Sequence, residues 1–253
     1  MLIRKWFVIC VVLAATFFSM AGTTYGAAKE EAGSKDWNIA FLGTVQVPGG
    51  LEIVDYKDVL AEMMKVIDQE EKLKQIQQEK QDLGGTSVSA EEVLASLEKY
   101  NLGIYQLALK NSGTYNTAVV LAMEIPEELK PAGFAMFDEL LKQDKKKQEA
   151  IYGEIVKGLD GLYAATPEVK NVFQMEILEF YPFEQLTNKN AQIVSVGGSV
   201  ALRFFKLVMP AAAKMYFIKN NTNLYVFGVV NSGPDRKLWD NMSKDMLSKA
   251  RWK

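Results

Sequence analysis

Apolar residues along this chain switch between two spacings, a period near two and a period near 3.6, and the switches outline its elements. Ile39 to Val47 reads as a strand, Pro48-Gly49-Gly50 as a turn and Leu51 to Val54 as a short return strand, the pattern of a hairpin. From Tyr56 the period becomes helical, with Val59, Leu60, Met63, Val66 and Ile67 on one face. Beyond Ile67 only Leu73 and Ile76 are apolar as far as Asp82, so the far half of that helix has little to bury. Gly84-Gly85 ends it, and Ser89 with Glu92 forms a capping box ahead of a second short helix. Residues 56–101 therefore read as a helical excursion after the first hairpin.

Alternation returns at Gly103 to Lys110, with Tyr105, Leu107 and Leu109 on one face. Asn111-Ser112-Gly113 is a turn, and Thr114 to Ile125 completes a second hairpin. Pro126 and Pro131 stop that strand and open a helical region carrying Phe134, Phe137, Leu140 and Leu141. Ile151, Ile155, Leu159 and Leu162 extend the helical spacing until Pro167. In the last third, Met175 to Leu186 (with a helical alternative over 175–180), Ala191 to Val196 and Ser199 to Met209 read as strands, with Gly197-Gly198 as a turn between the last two. Lys214 to Lys219, Asn220-Asn221-Thr222 and Asn223 to Asn231 form a tight hairpin. Leu224, Val226 and Val230 face one way in its second strand, and Tyr225, Phe227 and Val229 the other. A strand apolar on both faces belongs at the centre of a sheet covered on both sides. Ser232-Gly233-Pro234-Asp235 starts a closing amphipathic helix whose stripe is Leu238, Trp239, Met242, Met246 and Leu247. The expected fold class is α+β: an antiparallel β-sheet built from hairpins, with packed helices and a C-terminal amphipathic helix.

The N-terminus changes what the rest must do. Arg4 and Lys5 precede an uncharged run from Trp6 to Met20, and small residues follow up to Ala27-Ala28. That is the order of an export signal, with cleavage near Ala28. The apolar run is too short to cross a bilayer as a helix, so no membrane span is expected after cleavage. The expected organisation is a signal peptide over 1–28, a flexible tether over 29–35 and a single α+β domain over 36–253. The chain has no histidine, and its one cysteine, Cys10, lies in the leader. A mature domain of this kind has no disulfide, no Ser-His-Asp or Cys-His nucleophile, and no zinc or haem site built on His or Cys. Loss of Arg4 and Lys5 takes the formal charge from −2 to −4. Mild acidity without a basic stretch argues against nucleic acid as a partner.

The closing segment resembles that of the PsbP-like superfamily. The residues concerned are Met215-Tyr216-Phe217-Ile218, Leu224-Tyr225-Val226-Phe227-Gly228-Val229-Val230, Asp235, Trp239 and Leu247-Ser248-Lys249-Ala250-Arg251-Trp252. Gly43 to Leu51 is similar to the first hairpin of that superfamily. The resemblance implies an antiparallel sheet sandwiched by helices, and for function only that such domains are mainly accessory and binding proteins with varied partners.

Carboxylates are the main catalytic groups left. Glu176 and Glu179 sit beside Phe180 and Tyr181, and a carboxyl pair with aromatics is what a glycosidase uses, but as residues of a half-buried element they read as surface acids. Glu70, Glu71 and Asp82 lack the spacing of a calcium loop. Neither Gly197-Gly198 nor Pro48-Gly49-Gly50 leads into the Lys-Ser/Thr of a phosphate loop. Ser243-Lys244 and Ser248-Lys249 are adjacent on a helix and point apart, and Ser199 is isolated, so no Ser/Lys dyad is assigned. Asn220 and Asn241 begin chance glycosylation sequons. No catalytic, metal or cofactor-binding residue is assigned and no cofactor is expected. The sequence points to an exported accessory or binding protein acting through a surface or groove, its partner an unidentified protein or envelope component, more readily than to an enzyme. The alternatives are a carboxylate-dependent hydrolase of glycan or cell-wall material and an envelope-complex subunit docking through the 56–101 excursion.

Overall fold

The computed structural model describes residues 33–57, 101–157 and 173–253, apart from residues 40, 112–113, 143, 145, 147, 155 and 205–206. The leader, most of the tether, residues 58–100 of the helical excursion, and Leu159, Leu162 and Pro167 lie outside the described residues. Ten strands are described, all paired antiparallel. They are β1 (Ser34–Ile39), β2 (Gly43–Pro48), β3 (Leu51–Asp55), β4 (Leu102–Asn111), β5 (Thr114–Glu124), β6 (Phe173–Thr187), β7 (Gln192–Phe204), β8 (Leu207–Asn220), β9 (Asn223–Ser232) and β10 (Arg251–Trp252). Helix α1 (Lys130–Leu141) follows a 3-10 turn at Glu127–Leu129, and α2 (Arg236–Lys249) follows another at Gly233–Asp235. Residues 148–154 are also helical.

A seven-stranded sheet runs in the order β3-β4-β5-β9-β8-β7-β6, and a small sheet runs β1-β2-β10. The fold is α+β, as the apolar spacing implies. Strand β9 is the middle member of the large sheet, and its two apolar faces explain why. Tyr225, Phe227 and Val229 pack with Trp37, Tyr216, Trp239 and Leu247 under the small sheet and α2. Leu224, Val226 and Val230 pack on the opposite side with Val119, Leu121, Phe137 and Leu140, where α1 lies. The paired register of β9 with both β5 and β8 leaves neither of its edges open. Burying Phe227 and Tyr225 completely contributes about 1.5–3 kcal/mol each by the hydrophobic effect.

Three local expectations are corrected. First, Ile39 to Val47 is two strands rather than one. β1 pairs with β2, β2 also pairs with β10, and β3 pairs with β4. The Pro48-Gly49-Gly50 turn thus passes the chain from one sheet to the other instead of closing a hairpin. Gly43 is what lets the C-terminus join: it holds φ at +131°, and a Cβ there would sit 2.2 Å from the Arg251 carbonyl oxygen. Second, β1 begins at Ser34, so Ser34 and Lys35 are strand and not tether. Third, Gly197-Gly198 is not a turn. Strand β7 runs straight through both, paired with β6 and β8. A Cβ on Gly197 would lie 2.7 Å from the Ala213 oxygen, and one on Gly198 would lie 2.4 Å from the Glu179 oxygen. Glycine here marks close backbone approach inside a sheet.

The second hairpin is β4 with β5, and the last is β8 with β9 around a turn in which Asn221 holds φ at +51°. Residues 175–180 are strand throughout. As an edge strand β6 is irregular: its register shifts between Ile177 and Glu179 and again between Tyr181 and Glu184. Such bulges bend an edge away from further pairing. They also swing the Tyr181–Glu184 stretch toward α2.

Candidate functional site

Helix α2 lays one stripe on the sheet. Arg236, Trp239, Asp240 and Ser243 recur at spacings of three and four, so they share a face. Opposite them stand Ala212, Lys214 and Tyr216 of β8, Val229 and Asn231 of β9, and Tyr181 and Glu184 of the bulged part of β6. Together these residues enclose a pocket of about 60 Å3. It exists because alternation on β8 and β9 sends Lys214, Tyr216 and Asn231 to the α2 side, where Ala212 leaves space between them.

Three lining residues, Glu184, Lys214 and Asp240, belong to a closed ring of charge that Lys244 completes. Lys214 Nζ lies 2.5 Å from Glu184 Oε2 and 2.5 Å from Asp240 Oδ1. Lys244 Nζ lies 2.9 Å from Glu184 Oε2 and 2.8 Å from Asp240 Oδ2. Two cations and two carboxylates thus alternate around a square. Tyr216 donates its hydroxyl to Asp240 Oδ1 at 3.4 Å, and Lys214 sits over the Tyr216 ring. Burial works to raise the carboxyl pKa values of Glu184 and Asp240, but hydrogen bonds from Lys214 and Lys244 outweigh it and hold both below the ordinary carboxylate range. Burial, reinforced by the two carboxylates, pushes the Tyr216 phenol far above its ordinary value.

Two other lining residues carry polar atoms with nothing to bond. Asn231 Oδ1 and Trp239 Nε1 are buried and have no hydrogen-bond partner. Asn231 is 5% exposed and Trp239 1%. An acceptor and a donor left like this cost about 1–3 kcal/mol each, which a fold does not ordinarily tolerate twice in one small pocket. At the pocket's edge the Arg236 guanidinium lies 3.6 Å from the centre of the Tyr181 ring, and the Tyr181 hydroxyl is 2.5 Å from Ser199 Oγ.

On the opposite face of the same wing lies a shallow apolar trough of about 50 Å3, lined by Met175, Ile177, Phe180, Val196 and Met215 with Tyr152 at its side. Tyr152 stacks on Phe180 at 3.7 Å and donates its hydroxyl to the Tyr181 carbonyl. Burial pushes the Tyr152 phenol up to about 12, and a backbone hydrogen bond at Gly197 pulls the other way.

The residues weighed from sequence are placed elsewhere, with two exceptions. Glu176 and Glu179 are exposed on β6 and do not line the pocket beneath α2. Glu70, Glu71 and Asp82 lie outside the described residues. Ser248 and Lys249 are at the C-terminal end of α2, where each bonds to Asp245. Asn220 is buried and donates to the Lys253 carbonyl at 2.6 Å, while Asn241 is exposed. Ser199 meets Tyr181. Ser243 lines the pocket, buried beside Tyr216, and Lys244 stands behind it, completing the charge ring. Glu184, Lys214, Asn231 and Asp240 carried no motif. The one available signal was polar residues at inward positions of an otherwise apolar hairpin, Lys214 and Asn231 among them.

Among the described residues no group of three or more carboxylate, histidine or cysteine side chains converges as metal ligands, and no helix is long and apolar enough to cross a membrane.

No protein-family model and no curated protein matches this chain. Among solved structures it is similar to the solution structure of cyanobacterial PsbP (CyanoP) from Synechocystis sp. PCC 6803. The two share 9% identical residues over 92% of this chain and 99% of the other, with a TM-score of 0.38. Similarity at this level says nothing about ligand or partner.

Proposed function

We propose that this chain is an exported binding or accessory protein that captures a small polar ligand in the pocket beneath α2. The observation that carries the reading is the pair of buried, unpartnered polar atoms, Asn231 Oδ1 and Trp239 Nε1, on two residues that line one cavity. A ligand that donates to the first and accepts from the second relieves both.

The charge ring supports binding over catalysis. A glycosidase needs one carboxyl group whose pKa is raised so that it can act as an acid. Glu184 and Asp240 are both held ionised, each on two lysines. This leaves the hydrolase alternative without a general acid at this pocket. The docking alternative rests on residues 58–100, which lie outside the described residues.

The test is a variant that separates binding from folding. Asn231→Leu is close in size, removes the orphaned acceptor and fills the space in front of it. It is expected to raise domain stability by about 1 kcal/mol, because replacing an unsatisfied polar group by an apolar one removes a desolvation cost. It is also expected to abolish any ligand-induced rise in melting temperature. If Asn231→Leu instead destabilises the domain, Asn231 is a structural residue and the site reading fails. Export is checked by the mass of the secreted form, expected to begin near Lys29.

A further inference from the structure

Of the charged side chains lining the pocket, three belong to the ion-paired ring and one does not. Lys214 and Lys244 are matched one for one by Glu184 and Asp240. Arg236 is left over: among the described residues it forms no ion pair, and its guanidinium lies face-on against Tyr181 at 3.6 Å. Stacking uses the flat face of the guanidinium and leaves its edge N–H groups in a fixed plane, the arrangement that receives a carboxylate with two parallel hydrogen bonds. Arg236 is also the first residue of α2. The N-terminus of a helix presents unsatisfied N–H groups and the positive end of the dipole.

Deeper in, the orphaned atoms restrict the uncharged part of the ligand. Trp239 Nε1 can only donate, and Asn231 Oδ1 can only accept. A carboxylate cannot donate to Asn231, and an ammonium cannot accept from the indole. A hydroxyl does both. The space, about 60 Å3, suits only a ligand of a few heavy atoms.

Building on the reading of this pocket as the ligand site, we propose that it takes a short hydroxycarboxylate, its carboxylate at Arg236 and its hydroxyl between the Trp239 indole and the Asn231 carbonyl. The ring of Glu184, Lys214, Asp240 and Lys244 is then a neutral wall that keeps the site rigid, and Arg236 sets the sign of charge admitted.

Four two-carbon probes decide the matter: glycolate, ethylene glycol, ethanolamine and acetate. Each is titrated into 15N-labelled protein while the indole N–H resonances of Trp239 and Trp252 are followed. The indole nitrogen of Trp252 is likewise buried and unpartnered but lies outside this pocket, so its resonance serves as an internal control for fold and non-specific effects. Glycolate is expected to move the Trp239 resonance saturably and leave that of Trp252 in place, with the other three probes at least about tenfold weaker. Arg236→Gln, at an exposed position, is expected to weaken glycolate about tenfold, to the level of ethylene glycol, as the loss of a charged hydrogen-bond partner implies. If ethylene glycol or ethanolamine matches glycolate, or Arg236→Gln binds glycolate unchanged, the anion assignment is wrong while the pocket remains a ligand site. If acetate equals glycolate, the hydroxyl assignment is wrong. If no probe moves the Trp239 resonance and the cavity holds only water, the binding-site reading falls together with this one.

Discussion

Lys214→Met isolates the energetic role of the charge ring. Methionine keeps most of the stem, so the contacts that the lysine methylenes make beside Tyr216 survive and the ammonium alone is lost. What remains is Lys244 facing two carboxylates. Lys214 is only 12% exposed in its side chain, Asp240 26% and Glu184 41%. Breaking a fully buried pair by removing one partner costs about 3–5 kcal/mol, and a surface pair is worth about 0–1 kcal/mol. Partial exposure of both acids places this case between them, at about 2 kcal/mol. For a domain of about 220 residues that is a fall in melting temperature of about 4–8 °C.

The pH dependence sharpens the test. Glu184 and Asp240 have folded-state pKa values below their ordinary ones. Their contribution is therefore present at neutral pH and lost as pH falls through the depressed values. The parent protein should lose stability on acidification, while the variant, already lacking the favourable pairing, loses less. The gap between them should close as pH falls through those depressed values. Adding Asp240→Asn to Lys214→Met leaves Lys244 with a single carboxylate and should recover about half of the loss. Denaturant unfolding of the three proteins across that pH range measures all of this. A Lys214→Met variant within about 0.5 kcal/mol of the parent at neutral pH, or one whose penalty is independent of pH, would show the ring to be a solvated surface pair.

Two further outcomes are expected. Asn188 donates its side-chain amide to the carbonyls of Leu247, Ser248 and Ala250 at 3.0–3.1 Å, which caps the C-terminal end of α2 from a distant loop. Asn188→Ala should cost about 1–2 kcal/mol and raise amide hydrogen exchange in the last turn of α2 before the rest of the fold, whereas uniform exchange changes would deny it a capping role. In the alkaline range, burial holds the Tyr105 and Tyr152 phenols at about 12, and Tyr216 is raised further. A phenol raised in the folded state supports stability fully below its unfolded value of about 10, and that support is lost as pH climbs toward about 12. Tyrosinate absorbance at these three positions should therefore appear together with loss of the native circular dichroism. Their titration near about pH 10 in a still-folded protein would contradict the burial described here.

What was legible from sequence follows from how directly a pattern maps onto burial. Strand β9 alternates apolar residues on both faces, and nothing but a central, doubly covered strand satisfies that pattern, so its place was readable without a structure. The stripe Trp239, Met242, Met246 and Leu247 identified the buried face of α2 for the same reason. Composition alone removed histidine chemistry. Long-range closeness left no such trace. Gly197 and Gly198 look like a turn because glycine usually marks one, and only the approach of β6 and β8 backbones shows that they sit inside a sheet. β2 and β3 look like a hairpin because the Pro48-Gly49-Gly50 turn joins them, yet each finds its partner in a different sheet. The candidate site is the extreme case. Glu184, Lys214, Asn231, Arg236, Trp239 and Asp240 are drawn from four elements and lie up to 56 residues apart. Each alone is an unremarkable strand or helix residue. Their unpaired atoms and their residual charge are properties of the packing of α2 across β6, β8 and β9, which tertiary structure alone decides, because hydrogen-bond satisfaction and charge balance depend on distance in space and not on spacing along the chain.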